Sequence, residues 1–247
     1  MHSVASRKAV PAACWTSSEP LENTKVMHIN IHGLRSHLAE LCAVLRLYHS
    51  PPETICINES FLDKAVEACD IEGYEAIGRR DRSFSGDARR CGGIIVFAQT
   101  CIAGHVTLLF TSEVSERMCF QLHARIGPYL LCCWYRPPAQ GETDTLDSFA
   151  RELDDLRKEA LGTIVIGDLN LHSLRWLQHS SQNSVEGEHM REICKTACLK
   201  QIVKSPTRGD YLLDLCLTDV ESASATISAH IADHATVTVA LNLSLPK

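Results

Sequence analysis

The chain has 247 residues, of which 45% are hydrophobic, enough to build a buried core, and its formal net charge is −6. That charge excludes a global attraction to polyanions, so any nucleic-acid contact must rest on a local basic patch or on cations that offset the carboxylates. No apolar run approaches the ~20 residues of a membrane helix, and the 12 cysteines form no Cys-x-x-Cys pair and match no zinc module, which reads as a reducing, intracellular setting.

Residues 1–24 are rich in Ala and Ser, with Arg7 and Lys8 and no acid before Glu19; they read as a flexible leader. Lys25–Ile31 is the first strand, and it ends on polar groups, Asn30 and His32, ahead of Gly33. Leu34, Leu38, Leu41, Cys42, Leu45 and Tyr48 then recur at three and four, the stripe of an amphipathic helix, which Pro51-Pro52 closes. Thr54–Ser60 is a second short buried strand ending at Glu59. Strand, helix, strand predicts a right-handed parallel crossover, with Asn30 and Glu59 at the same sheet edge.

Residues 79–90 hold five arginines (Arg79, Arg80, Arg82, Arg89 and Arg90) against two aspartates, the most basic window of the chain. Such a run is either a solvated loop or, because arginine beside glycine suits phosphate oxygens, a substrate-binding segment. His105–Phe110, Met118–Ala124 and Tyr129–Tyr135 read as consecutive antiparallel strands, the last running into Tyr135-Arg136-Pro137-Pro138. Asp144–Lys158 is a helix that feeds the buried strand Thr163-Ile164-Val165-Ile166, which Gly167 is expected to end. If the backbone stays extended beyond it, Asp168, Asn170 and His172 share one face.

A helix carrying Met190, Ile193, Cys194 and Ala197 follows, then a turn-rich loop over 205–210. The strand Tyr211–Leu217 sets Asp214 among leucines, where a carboxylate is costly unless paired. Ile227–Ile231, the pair Asp233-His234 and a last strand from Thr236 to Leu243 close the chain, and residues 25–247 read as one domain.

Asn30, Glu59, Tyr135, Asp168, Asn170, Asp233 and His234 thus fall at strand ends or just past them, with Asp214 inside a strand. Carboxylates with carboxamide oxygens are ligands for a hard cation such as Mg²⁺. A histidine with a carboxylate to orient it suits contact with a phosphate or a leaving oxygen. Together these make a kit for hydrolysing phosphate esters. No phosphate-binding Gly-x-x-x-x-Gly-Lys loop, dinucleotide fingerprint or Gly-x-Ser-x-Gly is present.

Six segments occur in order: Asn30-Ile-His-Gly33, Asn58-Glu59-Ser60, Tyr135-Arg-Pro-Pro138, Gly167-Asp-Leu-Asn170, Leu213-Asp214-Leu215 and Asp233-His234. In this the chain resembles the endonuclease/exonuclease/phosphatase superfamily, and the Tyr-Arg-Pro-Pro and Pro206-Thr-Arg-Gly-Asp210 runs resemble its non-LTR (LINE-type) retrotransposon endonucleases. The resemblance implies a four-layer α/β sandwich, two mixed β-sheets face to face between helices, as in deoxyribonuclease I. It implies Mg²⁺, with Mn²⁺ as a substitute, held by Glu59, Asn30 and Asp233. Asp168 would activate water, Asn170 and Tyr135 would hold the phosphate, His234 would donate to it, and Asp214 would fix His234. DNA is the implied substrate, the nucleus its place, and a reverse-transcriptase domain the neighbour in a longer parent; the basic window read above then makes Arg79, Arg80 and Arg82 the expected DNA-binding residues. The chain departs from the family pattern at His32, Pro138 and Ala232, none of them a principal group. Two other readings stand beside the nuclease: a phosphatase acting on a small phosphorylated molecule, and an inactive nucleic-acid-binding remnant.

Overall fold

The computed structural model describes residues 23–65, 69–81 and 92–246; Arg82 and nearly all of the expected leader lie outside them. Β-branched runs and their alternation decide most of the architecture. The strand β1 (Thr24–Asn30) leads through helix α1 (Leu34–Leu47) to β2 (Thr54–Asn58), and the two strands pair in parallel, as the strand-helix-strand pattern predicts. Along both strands odd residues and even residues part ways. Met27, Ile29, Ile31, Ile55 and Ile57 pack with Leu34, Leu41 and Leu45 of α1. Val26 and Cys56 instead join the core between the sheets. Alternation therefore points His28 and Asn30 on β1, and Asn58 on β2, toward the opposing sheet.

The strands β3 (Tyr74–Arg80) and β4 (Ile94–Gln99) complete this side of the first sheet, and β11 (Ser224–Ile231) and β12 (His234–Leu241) its other side, in the order β11-β12-β1-β2-β4-β3. The second sheet has the order β5-β6-β7-β8-β10-β9, from Val106–Thr111, Glu116–Ala124, Gly127–Tyr135, Thr163–Asp168, Asp214–Thr218 and Lys200–Gln201 (β9). The three predicted antiparallel strands are β5, β6 and β7. Helices α2 (Asp144–Leu156) and α3 (Val185–Thr196) cover its outer face, where Phe149 of α2 stacks on Trp134 at 4.7 Å. Helix, sheet, sheet, helices: this is the four-layer sandwich. Burial of each of its large core aliphatics contributes roughly 1.5–3 kcal/mol.

The strand β3 falls partly on the arginine window, although Glu75, Ala76, Gly78 and the arginines are weak strand formers; pairing with β4 imposes the conformation. Two expectations are corrected. Gly167 does not end its strand but lies inside β8. A Cβ there would sit 1.7 Å from the carbonyl oxygen of Trp134 on β7, so only glycine fits this approach. Finally β10 starts at Asp214, because Tyr211 turns back on Arg208.

Candidate active site

Asp168 is the last residue of β8 and Asp214 the first of β10, and the two are direct partners in the antiparallel ladder. Both are fully buried at the edge where β1 and β2 of the other sheet also end. Asn58 ties the sheets together there: its Oδ1 accepts the Asp168 backbone N–H at 3.0 Å, while its Nδ2 reaches Cys133 Sγ. Asn30 donates through Nδ2 to Asp168 Oδ2 at 2.8 Å and to Glu59 Oε1 at 3.0 Å. One amide thus spans two carboxylates. Its own Oδ1 accepts the His32 N–H at 3.3 Å.

Glu59 sits just beyond β2 with φ +50°, a left-handed turn that lifts its carboxylate out of the strand. Its Oε2 meets His32 Nδ1 at 3.1 Å. Tyr135, buried at the end of β7, stands beside it; burial first, then the charge of Glu59, pushes its phenol well above the usual range.

Asp214 carries both of its oxygens to imidazoles: His234 Nδ1 on Oδ2 at 2.7 Å and His28 Nε2 on Oδ1 at 2.8 Å. Burial opposes the charge of Asp214, but the hydrogen bonds from His234 and then His28 outweigh it and hold the carboxyl well below its ordinary value. For His234 burial likewise opposes charge, and Asp214, with Asp168 and Asp233 adding, raises it to about 9. Asp168, unlike Asp214, is raised, to about 7, through burial and the charge of Asp214, with His234 and Asn30 acting against.

Thr207 assembles this corner. Its hydroxyl accepts the N–H groups of Leu213 and Asp214, at 3.1 and 3.0 Å, and its carbonyl accepts Ala235 N–H at 2.7 Å. The turn-rich loop therefore fixes the starts of β10 and β12 against each other.

The structure brings Asn30, Glu59, Tyr135, Asp168, Asp214 and His234 to one end of the sandwich. Asn170 lies at the rim, its Nδ2 donating to the carbonyl of Arg136 at 2.9 Å. It has φ +48°, so the backbone does not stay extended, and the expected shared face of Asp168, Asn170 and His172 is corrected. His172 turns instead to an edge contact with Tyr211. Asp233 also stands apart: it is exposed and pairs with Arg208 at 2.6 Å. Arg79 and Arg80 occupy opposite faces of β3, following Ile95 and Ile94 in register. Arg79 is held by Asp81 at 2.7 Å, and burial lowers the pKa of Arg80.

Residue patterns alone did not single out His28, Asn58 or Thr207. Their signal was polarity on strand faces that alternation turned inward, and turn chemistry for Thr207.

The donor set suits a metal ion. Ligand atoms of Asp168, Asp214 and His234 lie within 4.8 Å of one another. Of these, Asp168 Oδ1 is buried with no hydrogen-bond partner, a costly state that a cation would relieve. With Glu59 beside it the available donors are oxygens, the chemistry of a hard divalent cation.

Residues 129–238 match the sequence model of the family described as Endonuclease-reverse transcriptase. No curated protein matches the chain. Among solved structures, AP endonuclease LMAP from Leishmania major superposes with a TM-score of 0.69 at 14% identity, over 96% of this chain and 93% of that one. The endonuclease domain of TRAS1, a telomere-specific non-LTR retrotransposon, gives 0.62 at 15% identity over 91% and 100%. The human Nocturnin catalytic domain gives 0.60 at 12% identity over 91% and 95%. The chain has the endonuclease/exonuclease/phosphatase fold and, over residues 129–238, the sequence pattern of the endonuclease-reverse transcriptase family.

Proposed function

We propose that the chain is a metal-dependent endonuclease that hydrolyses a DNA phosphodiester and leaves a 3′-hydroxyl, the end from which a reverse transcriptase in a longer parent protein could prime. The observation that carries this reading is the opposed pair Asp168 and Asp214 at one buried edge, the first with Oδ1 free of partners and raised to about 7, the second bound to His234 Nδ1 at 2.7 Å. That supplies a base and an acid at one buried edge. Glu59 would hold Mg²⁺ or Mn²⁺, with the Asn30 amide linking its carboxylate to that of Asp168. Such an ion neutralises charge on the phosphate and acidifies bound water.

The protein's own residues do the rest. Asp168, with an oxygen free of other partners, takes the proton of the attacking water. His234 has Nδ1 bound to Asp214, which leaves Nε2–H to donate to a phosphate oxygen as charge builds there. Tyr135 stays protonated beside Glu59 and donates from its hydroxyl to the phosphate or to the leaving 3′-oxygen, which takes a proton from water as the P–O bond breaks; Asn170, tied to the Arg136 carbonyl, borders the phosphate. A nuclear setting, where target DNA lies, belongs to the same reading. The family pattern over residues 129–238 supports the endonuclease part of this reading.

The test is nicking of supercoiled plasmid with Mg²⁺, with EDTA, and with Asp168→Ala. Metal-dependent nicks carrying 3′-hydroxyls, lost in the variant, are expected. DNA binding without cleavage would favour the inactive remnant, and release of phosphate from small esters alone would favour the phosphatase.

A further inference from the structure

His28 is an imidazole with zero exposure between Val26 and Cys56, in the core between the two sheets. A leucine there would fill the space without desolvating two ring nitrogens. Its Nδ1 has no partner, and Nε2 has one, Asp214 Oδ1 at 2.8 Å. An ionised carboxylate only accepts, so Nε2 carries the hydrogen.

Two consequences follow for Asp214. A carboxylate held through one oxygen can turn about its Cβ–Cγ bond. Held through both, by rings from β1 and β12, it is locked in plane and rotamer. In addition Oδ1 is occupied, so Oδ2 alone faces His234. The imidazole of His234 is thereby fixed through Nδ1, with Nε2 turned away from Asp214. The strand β1 thus serves both halves of the site, since Asn30, two residues on and on the same face, bridges Glu59 and Asp168.

We propose that His28 is a positioning residue: by clamping Asp214 Oδ1 it sets the orientation in which His234 meets the scissile phosphate. This rests on the phosphodiesterase reading for its consequence in rate, though not for the clamp itself.

The variants are His28→Gln, whose amide can donate in place of Nε2, and His28→Leu, which fills the space with no donor. The first readout needs no catalysis. Proton NMR of metal-free, ¹⁵N-histidine-labelled protein should show two solvent-protected imidazole N–H signals, from His28 and His234, each bonded to a carboxylate. His28→Leu should lose one and shift or broaden the other. The second readout is steady-state nicking. His28→Leu should lower kcat by about 10- to 100-fold, the usual effect of losing an orienting partner, with KM unchanged. His28→Gln should recover most of that loss.

A His234 signal unmoved in His28→Leu, or equal losses in the Gln and Leu variants, would overturn the proposal. If His28→Leu does not fold, the wild-type spectrum and His28→Gln decide: a single carboxylate-bonded imidazole N–H, or a His28→Gln kcat reduced as far as that of His234→Ala, overturns it. Should wild type fail to nick DNA, the endonuclease reading falls while the NMR arm still reports on the clamp.

Discussion

Asp168 and Asp214 are direct partners across the β8–β10 ladder, yet their surroundings drive them apart: Asp168 is raised to about 7, and Asp214 is held well below the ordinary carboxylate range. The difference is in what each oxygen meets. Asp214 gives both oxygens to imidazoles, whereas Asp168 has one amide hydrogen bond on Oδ2 and nothing on Oδ1. Two like charges so placed do not ionise equally.

Glu59→Ala and Asp168→Asn should each reduce nicking on the order of 10²–10⁴-fold, since each removes a base or a metal-binding group. Both should fold, with a metal-free thermal midpoint for Asp168→Asn at or above that of wild type at pH 8, because a buried charge is gone. Near-normal nicking by either variant would show that the chemistry is elsewhere.

The pH profile follows from the two raised groups. In the proposed mechanism Asp168 acts ionised and His234 protonated, so nicking should rise through about 7 and fall through about 9. A bound cation stabilises the ionised Asp168 and moves the acid limb down. His234 has its folded value above its unfolded one, so its contribution to stability is complete below about 6.5 and lost as pH rises through about 9. Asp214→Asn removes the partner charge and should draw the alkaline limb down toward the free-histidine value. Plasmid nicking from pH 5.5 to 10 measures both limbs; an alkaline limb unmoved by Asp214→Asn would unlink the two residues.

Asp214→Asn combined with His234→Ala should be scarcely slower than His234→Ala alone, because the carboxylate acts through the ring. Rates that multiply in the double-mutant cycle would mean that the two act independently.

Gly167→Ala should destabilise the fold by about 1–3 kcal/mol or more, because its methyl meets the Trp134 carbonyl, which the strand pairing holds in place. Urea unfolding measures it. A loss under about 0.5 kcal/mol, the scale of an ordinary surface change, would contradict the packing.

Arg79 and Arg80 point from opposite faces of β3, so one phosphate cannot bind both. Arg80 lines a cleft of about 650 Å³ that also borders Tyr135 and Arg136, whereas Arg79 is engaged by Asp81 and the Asp63 carbonyl. Arg80→Gln should therefore lower the slope of log K against log salt by about 0.9, one phosphate contact, and Arg79→Gln should leave it unchanged. Equal effects from the two would restore a shared contact surface.

Most of the fold was legible in the chain because its signals are local. The runs Ile55-Cys56-Ile57 and Ile164-Val165-Ile166, the three-and-four stripe from Leu34 to Leu45, and the Pro51-Pro52 stop each act within a few residues. The parallel pairing of β1 with β2 followed from the length of the connection between them. The residue types also pointed to the proposed chemistry, since carboxylates, carboxamides and histidine at strand ends suit a cation and a phosphate. What only the tertiary structure decided is which of these groups meet. Asp214 lies 20 residues from His234 and 186 from His28, and no periodicity reveals that one carboxylate lies between two rings on the opposite sheet. The same holds for Gly167, whose neighbour is a carbonyl on β7, and for β3, a strand only because β4 lies beside it. Local sequence sets the dihedral angles and the faces; the close packing of two sheets against each other sets the site.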